Sequence, residues 1–230
     1  MDDRLAPLLQ RFELRSRVFY AGNLCSLVNF DAVEGVGHFH LLKAGRLQLT
    51  APDGRVQELS EPSLIFFPRA SHHRLGATEA DGADLVCASV EFGASFGNPL
   101  VHGLPPLLVL PLREVPAMRG VLDALFAEAF DERSGREAAL NRLSEVVLVY
   151  LLRHAVEHGL LQSGVMAGLA DARLAKALNA MHAEPARPWT LQGLADLSGM
   201  SRARFAAHFG AVVGEPAIEY LAGWRLSMAQ

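Results

Sequence analysis

A chain of 230 residues, half of them hydrophobic, carries enough apolar side chain to close two compact domains, which excludes a disordered class. Its 21 Lys and Arg against 25 Asp and Glu leave a net charge of -4, excluding a broad, non-specific nucleic-acid coat but not a narrow basic face. With two cysteines, no secretory segment and no apolar run near the ~20 residues of a membrane helix, a cytoplasmic protein without a constitutive disulfide is expected.

In chain order, Asp3 to Leu9 reads as a short helix, and Glu13 to Tyr20 and Asn23 to Phe30 alternate as strands do. His38 to Thr50 alternates around a kink at Gly45, Asp53-Gly54 is a hairpin turn, and Arg55 to Leu59 returns. Ser63 to Phe67 is a buried apolar run stopped by Pro68, and Asp84 to Phe92 adds another strand. Many short strands between Gly, Pro and Asp turns predict a sandwich or barrel over residues 1–112 rather than a parallel sheet.

The period then becomes helical. Val115, Met118, Val121, Leu122, Leu125 and Phe126 mark one helix, and after a break at Asp131 to Gly135 a longer stripe runs from Leu140 to Ala155. Residues 113–159 are therefore an antiparallel helical pair, with two expected roles: covering the barrel and pairing two copies of the chain. Residues 160–170, glycine-containing and almost uncharged, read as a linker.

Trp189 to Gly210 holds two short helices. Thr190 caps the first, with Leu191, Leu194, Ala195 and Leu197 at helical spacing; Gly199 breaks it; Ser201 caps a second whose Phe205 and Phe209 stand four apart. That is a helix-turn-helix pattern, with Ser201, Arg202 and Arg204 at the end that enters a major groove. An ordinary helical hairpin has the same spacing.

The surrounding residues favour the first reading. Met181-His182, Pro188 to Thr190, Leu194-Ala195, Gly199 to Ser201, the Phe205/Phe209 pair and the closing YL-x2-WR resemble the DNA-binding region of AraC/XylS-type transcription regulators over about Asp171 to Gln230. The resemblance implies double-stranded DNA as partner: Ser201, Arg202 and Arg204 in the groove, Thr190 and His208 at phosphates, and Arg225 at the backbone. Ala207 and His208 stand where the family commonly carries Arg, and six basic side chains (Arg173, Lys176, Arg187, Arg202, Arg204, Arg225) meet five acidic ones, so the footprint is narrow. In that family the helix beginning near Pro216 leads to a second helix-turn-helix; the sequence ends at Gln230, so either a truncated product or a naturally shortened regulator is expected.

FHLLKAGRLQL followed by LIFFPRASHHRL resembles the two half-motifs of a cupin barrel, specifically the sensor domain that precedes some AraC-type heads. The fold class implied is α+β: a cupin-like barrel (a double-stranded β-helix) with a helical pair, residues 1–159, then a small all-α head over 171–230. The likeness departs at Ala44 and Lys43, where metal-binding cupins place a Glu, at Ala70 for a Gly, and at Pro62-Ser63 for Gly-Asp. Cys25, His40, His73 and Cys87 fall in the barrel, and two thiolates with two imidazoles would suit tetrahedral zinc. The alternative is inert core cysteines and wall histidines. Some resembled regulators carry paired cysteines that respond to oxidants, which implies a redox role for Cys25 and Cys87. His38 and His72 are alternates, because neighbouring strand positions face opposite ways.

The resulting expectation is a homodimeric, non-enzymatic regulator sensing a small molecule, oxidant or electrophile. Its rivals are a metal-dependent cupin enzyme, disfavoured by Ala44, and a shortened dimerisation partner with weak DNA binding.

Overall fold

The computed structural model describes residues 5–80, 82–93, 101 and 103–228, in two compact units. One lies within residues 14–93 and 106–152; the other draws on residues 5–13, 103–105 and 153–228. Among the described residues no helix is long and apolar enough to cross a membrane.

Helix α1 (Ala6–Arg11) has proline in its first turn, where no amide hydrogen is needed. Of the helix expected from Asp3, Asp3 itself lies outside the described residues. Among the described residues nine strands follow: β1 (Arg15–Leu24), β2 (Leu27–Phe30), β3 (Val36–Gly45), β4 (Leu47–Thr50), β5 (Val56–Leu59), β6 (Ser63–Phe67), β7 (His73–Gly76), β8 (Ala83–Glu91) and β9 (Leu108–Pro111). They form two antiparallel sheets, ordered β1-β8-β3-β6-β9 and β2-β7-β4-β5. The sequence pattern passes over β7 and β9, each four residues long and too short to show a period.

The chain passes between the two sheets repeatedly, and two of these passages are tight corners. The first is Cys25-Ser26, not the break expected near residue 22, because β1 stays paired with β8 as far as Leu24. The second is Gly45, at φ +91, where a side chain would overlap the carbonyl oxygen of Gly82. That carbonyl accepts the Arg46 amide hydrogen at 3.1 Å and so pins the corner.

Between the sheets lie Leu42, Leu47, Leu49, Ile65, Phe67, Leu75 and Leu85, all essentially without solvent contact. Phe39, Leu64, Phe66, Val86 and Ala88 point the other way and are equally buried. Burial on both faces is why Ser63–Phe67 reads as a continuous apolar run. After 3₁₀ turns at Leu112–Glu114 and Pro116–Met118, helix α2 (Arg119–Phe130) packs on β1. Helix α3 (Arg136–Glu157) is tied to β1 by the Val18 amide, which donates to Asn141 Oδ1 at 2.8 Å. The Arg136 guanidinium donates to the carbonyls of Glu128 and Ala129, satisfying the C-terminus of α2.

The second unit contains α4 (Gly164–Ala170), α5 (Leu174–Ala183), α6 (Leu191–Leu197), α7 (Arg202–Val213) and α8 (Ala217–Met228). Gly164–Ala170, within the 160–170 stretch expected to be a linker, form a helix, while residues 160–163 are in neither helix nor strand. Val165, Met166 and Leu169 are buried on one face of α4, and Gly168 allows close packing, since a Cβ there would meet Leu178 at 2.6 Å and Val213 at 3.0 Å. The glycine serves contact, not flexibility. Phe12, just after α1, sets its ring 6.1 Å from Trp224 on α8, and residues 5–13 belong by contact to the same compact unit as the last helices.

Gly45→Ala should lower the unfolding free energy by at least ~2 kcal/mol, since strain and overlap add. Gly54→Ala, at φ +82 but with nothing within 4 Å, should cost only ~1 kcal/mol. Urea titrations of the two variants check the order; equal losses would contradict it.

Candidate functional site

The barrel interior is organised by one row across the five-stranded sheet. Tyr20, Cys87, His40, Ile65 and Val109 are successive cross-strand partners, so all five share the inward face. His38, two residues before His40, shares that face, which settles one pair of alternates. From the opposite sheet His73 points in, while the His72 imidazole is exposed and pairs loosely with Asp31 at 3.6 Å.

His40 Nε2 and His73 Nε2 stand 2.8 Å apart, a hydrogen bond joining the two sheets. His73 Nδ1 donates to the Ser71 carbonyl at 3.1 Å, so its Nε2 is left as acceptor and His40 Nε2 carries the hydrogen. His40 Nδ1 is then a bare acceptor. Both it and His38 Nδ1 are buried without a hydrogen-bond partner. The His73 ring is sandwiched between Phe67 at 4.0 Å and Phe30 at 4.7 Å, nearly parallel to both. Burial pushes all three imidazoles toward the neutral form: His73 down to about 4, His40 well below its usual range with the neighbouring imidazoles adding to the effect, and His38 down as well.

Beside this cluster lies a cavity of about 200 Å³, lined by Phe19, Tyr20, Leu24, Val28, Phe30, Leu75, Leu85 and Cys87. Neither Phe19 nor Phe30 has a motif signal. Phe30 separates the cavity from the imidazoles, within 4.8 Å of His40 and 5.8 Å of His38.

The four-ligand zinc set is not assembled. Among the described residues no group of three or more His, Cys, Asp or Glu is placed to hold a metal ion. His40 and His73 meet, but Cys25 sits at the exposed corner between the sheets, where the strand break displaces it from the inner row. Cys87 is buried and its thiol is pushed up to about 12, the state of an inert core cysteine rather than a thiolate ligand or nucleophile.

In the second unit, Thr190 Oγ1 accepts the Gly193 amide at 3.1 Å and Ser201 Oγ accepts that of Arg204 at 3.4 Å, so both expected caps form. Gly199, at φ +63, makes the turn between α6 and α7. Phe205 and Phe209 are fully buried, and Phe209 meets Tyr220 of α8 at 6.0 Å. Arg202 and Arg204 are exposed at the N-terminal turn of α7, with Ser201 beside them.

Two residues expected at the DNA backbone are engaged elsewhere. His208 Nε2 meets Asp171 Oδ2 at 2.8 Å, and Asp171 Oδ1 also accepts the amides of Arg173 and Leu174, joining α7 to the start of α5. The Arg225 guanidinium donates to the carbonyls of Pro185 and Arg187 at 2.6 and 2.7 Å, holding α8 against the connection before α6. Asp171 carries no local signal for this role, because its partner lies 37 residues away.

The two antiparallel sheets with histidines facing inward have the architecture of a cupin, and comparison with known families agrees: the cupin pattern matches residues 3–157, and the chain belongs to that family. Among its relatives is an AraC-like transcription regulator of Streptomyces lividans, 34% identical over 170 residues, covering 72% of this chain and 55% of that protein. An HTH-type transcriptional regulator of Haemophilus influenzae is 27% identical over 250 residues, covering 99% of this chain and 83% of its own length. Among solved structures, fatty-acid-bound ToxT of Vibrio cholerae aligns over 91% of this chain and 94% of that one at TM-score 0.38 and 12% identity. The chain thus spans about half the length of some of the curated relatives that it matches.

The neutral imidazoles make a pH prediction. His73 titrates near 4 when folded and near 6.5 when unfolded, so the unfolded chain binds more protons between those values. Stability is complete above pH 6.5 and is lost as pH falls toward 4. His182, also lowered to about 4 by burial, acts in the same direction in the second unit. Urea titrations should therefore show His73→Phe, which keeps the ring stack, losing less stability across this window than the wild type, by on the order of 2 kcal/mol. Equal pH profiles would contradict the assignment.

Proposed function

We propose that this chain is a DNA-binding transcription regulator whose cupin barrel receives a small-molecule effector and whose α6–α7 pair docks on duplex DNA. The observation that carries the reading is the capped N-terminus of α7, where Ser201, Arg202 and Arg204 stand exposed above a fully buried aromatic seam. Such an end places guanidinium groups at base edges while the seam holds the helix rigid. The relatives named as regulators support it.

Arg202 and Arg204 are the base-reading and phosphate-positioning candidates in this reading. Thr190 stays with them at the exposed end of α6, its hydroxyl already occupied by the cap. A homodimer, paired through the helices α2 and α3, would present two heads to paired half-sites in the cytoplasm. The barrel acts as a receptor rather than an enzyme: its inward polar groups among the described residues are the neutral imidazoles of His38, His40 and His73, the Tyr20 hydroxyl and the Cys87 thiol, with Lys43 and Ala44 where metal-binding relatives of the fold carry a carboxylate. An oxidant response has less support, because Cys87 is held protonated.

Duplexes selected by the chain from a random library, measured by fluorescence anisotropy at several salt concentrations, test the reading. Arg202→Ala should weaken the selected site about 5- to 150-fold and relax its sequence preference, the effect of ~1–3 kcal/mol per bidentate base contact. Arg204→Ala should weaken all duplexes and lower the salt slope by about 1. Failure to enrich any sequence would overturn the proposal.

A further inference from the structure

The strongest unassigned feature is the cavity between the sheets, and its shape depends on an irregularity of β1. The pairing of β1 with β8 shifts register between Val18 and Tyr20, leaving Phe19 as the extra residue of a β-bulge. In a regular strand Phe19 and Tyr20 would face opposite ways. Here both line the cavity, and Phe19 remains half exposed at its rim, with Leu27 exposed on β2. A bulge that turns two neighbouring aromatic rings toward one space, and leaves one of them partly in water, has the form of an entrance.

Among the described residues no charged side chain lines the space, and the polar side-chain groups that do are the Tyr20 hydroxyl and the Cys87 thiol. An ion entering would lose its hydration with no counter-charge in return. The volume of about 200 Å³ compares with the ~150 Å³ of an apolar cavity that takes benzene. Phe30, which bounds the space, is held by its stack on His73.

We propose that the barrel effector is an uncharged, apolar molecule of about one ring, entering past Phe19 and lying against Phe30, Leu75 and Leu85. This rests on reading the barrel as the receptor of a regulator, and it names the class of molecule received. The ligand lies against Phe30, whose ring stacks on His73, so occupancy bears directly on the group that packs against the link between the sheets.

The test is calorimetric titration of the whole chain with toluene, benzoate and benzylamine, alongside duplex binding on the same preparation. Toluene should bind, with benzoate and benzylamine at least about tenfold weaker, a difference of ~1.4 kcal/mol or more. Leu85→Phe and, independently, Val28→Phe should each fill the space and weaken toluene at least about tenfold while the selected duplex is still bound. Absent toluene binding, benzoate binding as tightly as toluene, or filled variants that bind like the wild type would overturn the inference. Duplex binding without toluene binding would sink the ligand class and leave the regulator standing; toluene binding without duplex binding would do the reverse.

Discussion

Two imidazoles that must both stay uncharged hold the barrel shut. The hydrogen bond from His40 to His73 spans the space between the sheets at 2.8 Å, and both side chains are buried. A second proton on either ring would place a cation among Phe30, Phe67, Ile65 and Leu42, and two would repel. Everything on the inward face follows this constraint. The row through Tyr20, Cys87 and His40 is neutral, the neighbouring thiol is kept protonated, and the adjoining cavity is lined with hydrocarbon.

The head is built on a different principle. Its rigidity comes from rings packed at the joins of short helices: Phe205 with Phe209, Phe209 with Tyr220, and His182 between Tyr220 and Trp224. Its polar groups close the helix ends, with Thr190 and Ser201 capping α6 and α7 and Asp171 capping α5 while holding His208. The guanidinium groups of Arg202 and Arg204 are left at the exposed end of α7, whereas that of Arg225 is consumed in holding α8.

Local chemistry was legible in the sequence, and long-range placement was not. The caps at Thr190 and Ser201, the Gly199 turn and the Phe205/Phe209 seam each depend on residues within four positions, so spacing alone identifies them. His40 and His73 emerged from the half-motifs, and His38 follows from its two-residue distance to His40. Cys25 was misplaced because one or two residues of uncertainty in a strand end decide whether a side chain lies in a sheet or on a corner. The roles of Phe19 and Phe30 were hidden for a related reason: a bulge reverses the facing of a side chain without altering the pattern of residue types. The linker assignment failed on Gly168, whose composition-level meaning is flexibility and whose actual work is close helix contact.

If the barrel is a receptor and the head a reader, occupancy of one must alter the affinity of the other, and by the same factor in both directions. The most direct measurement is the toluene affinity of the chain with and without its selected duplex, set against the duplex affinity with and without saturating toluene. The account predicts two equal shifts, within about 5- to 150-fold, the range of coupling between linked sites. Affinities that are unchanged in both arms would show two independent units and contradict it.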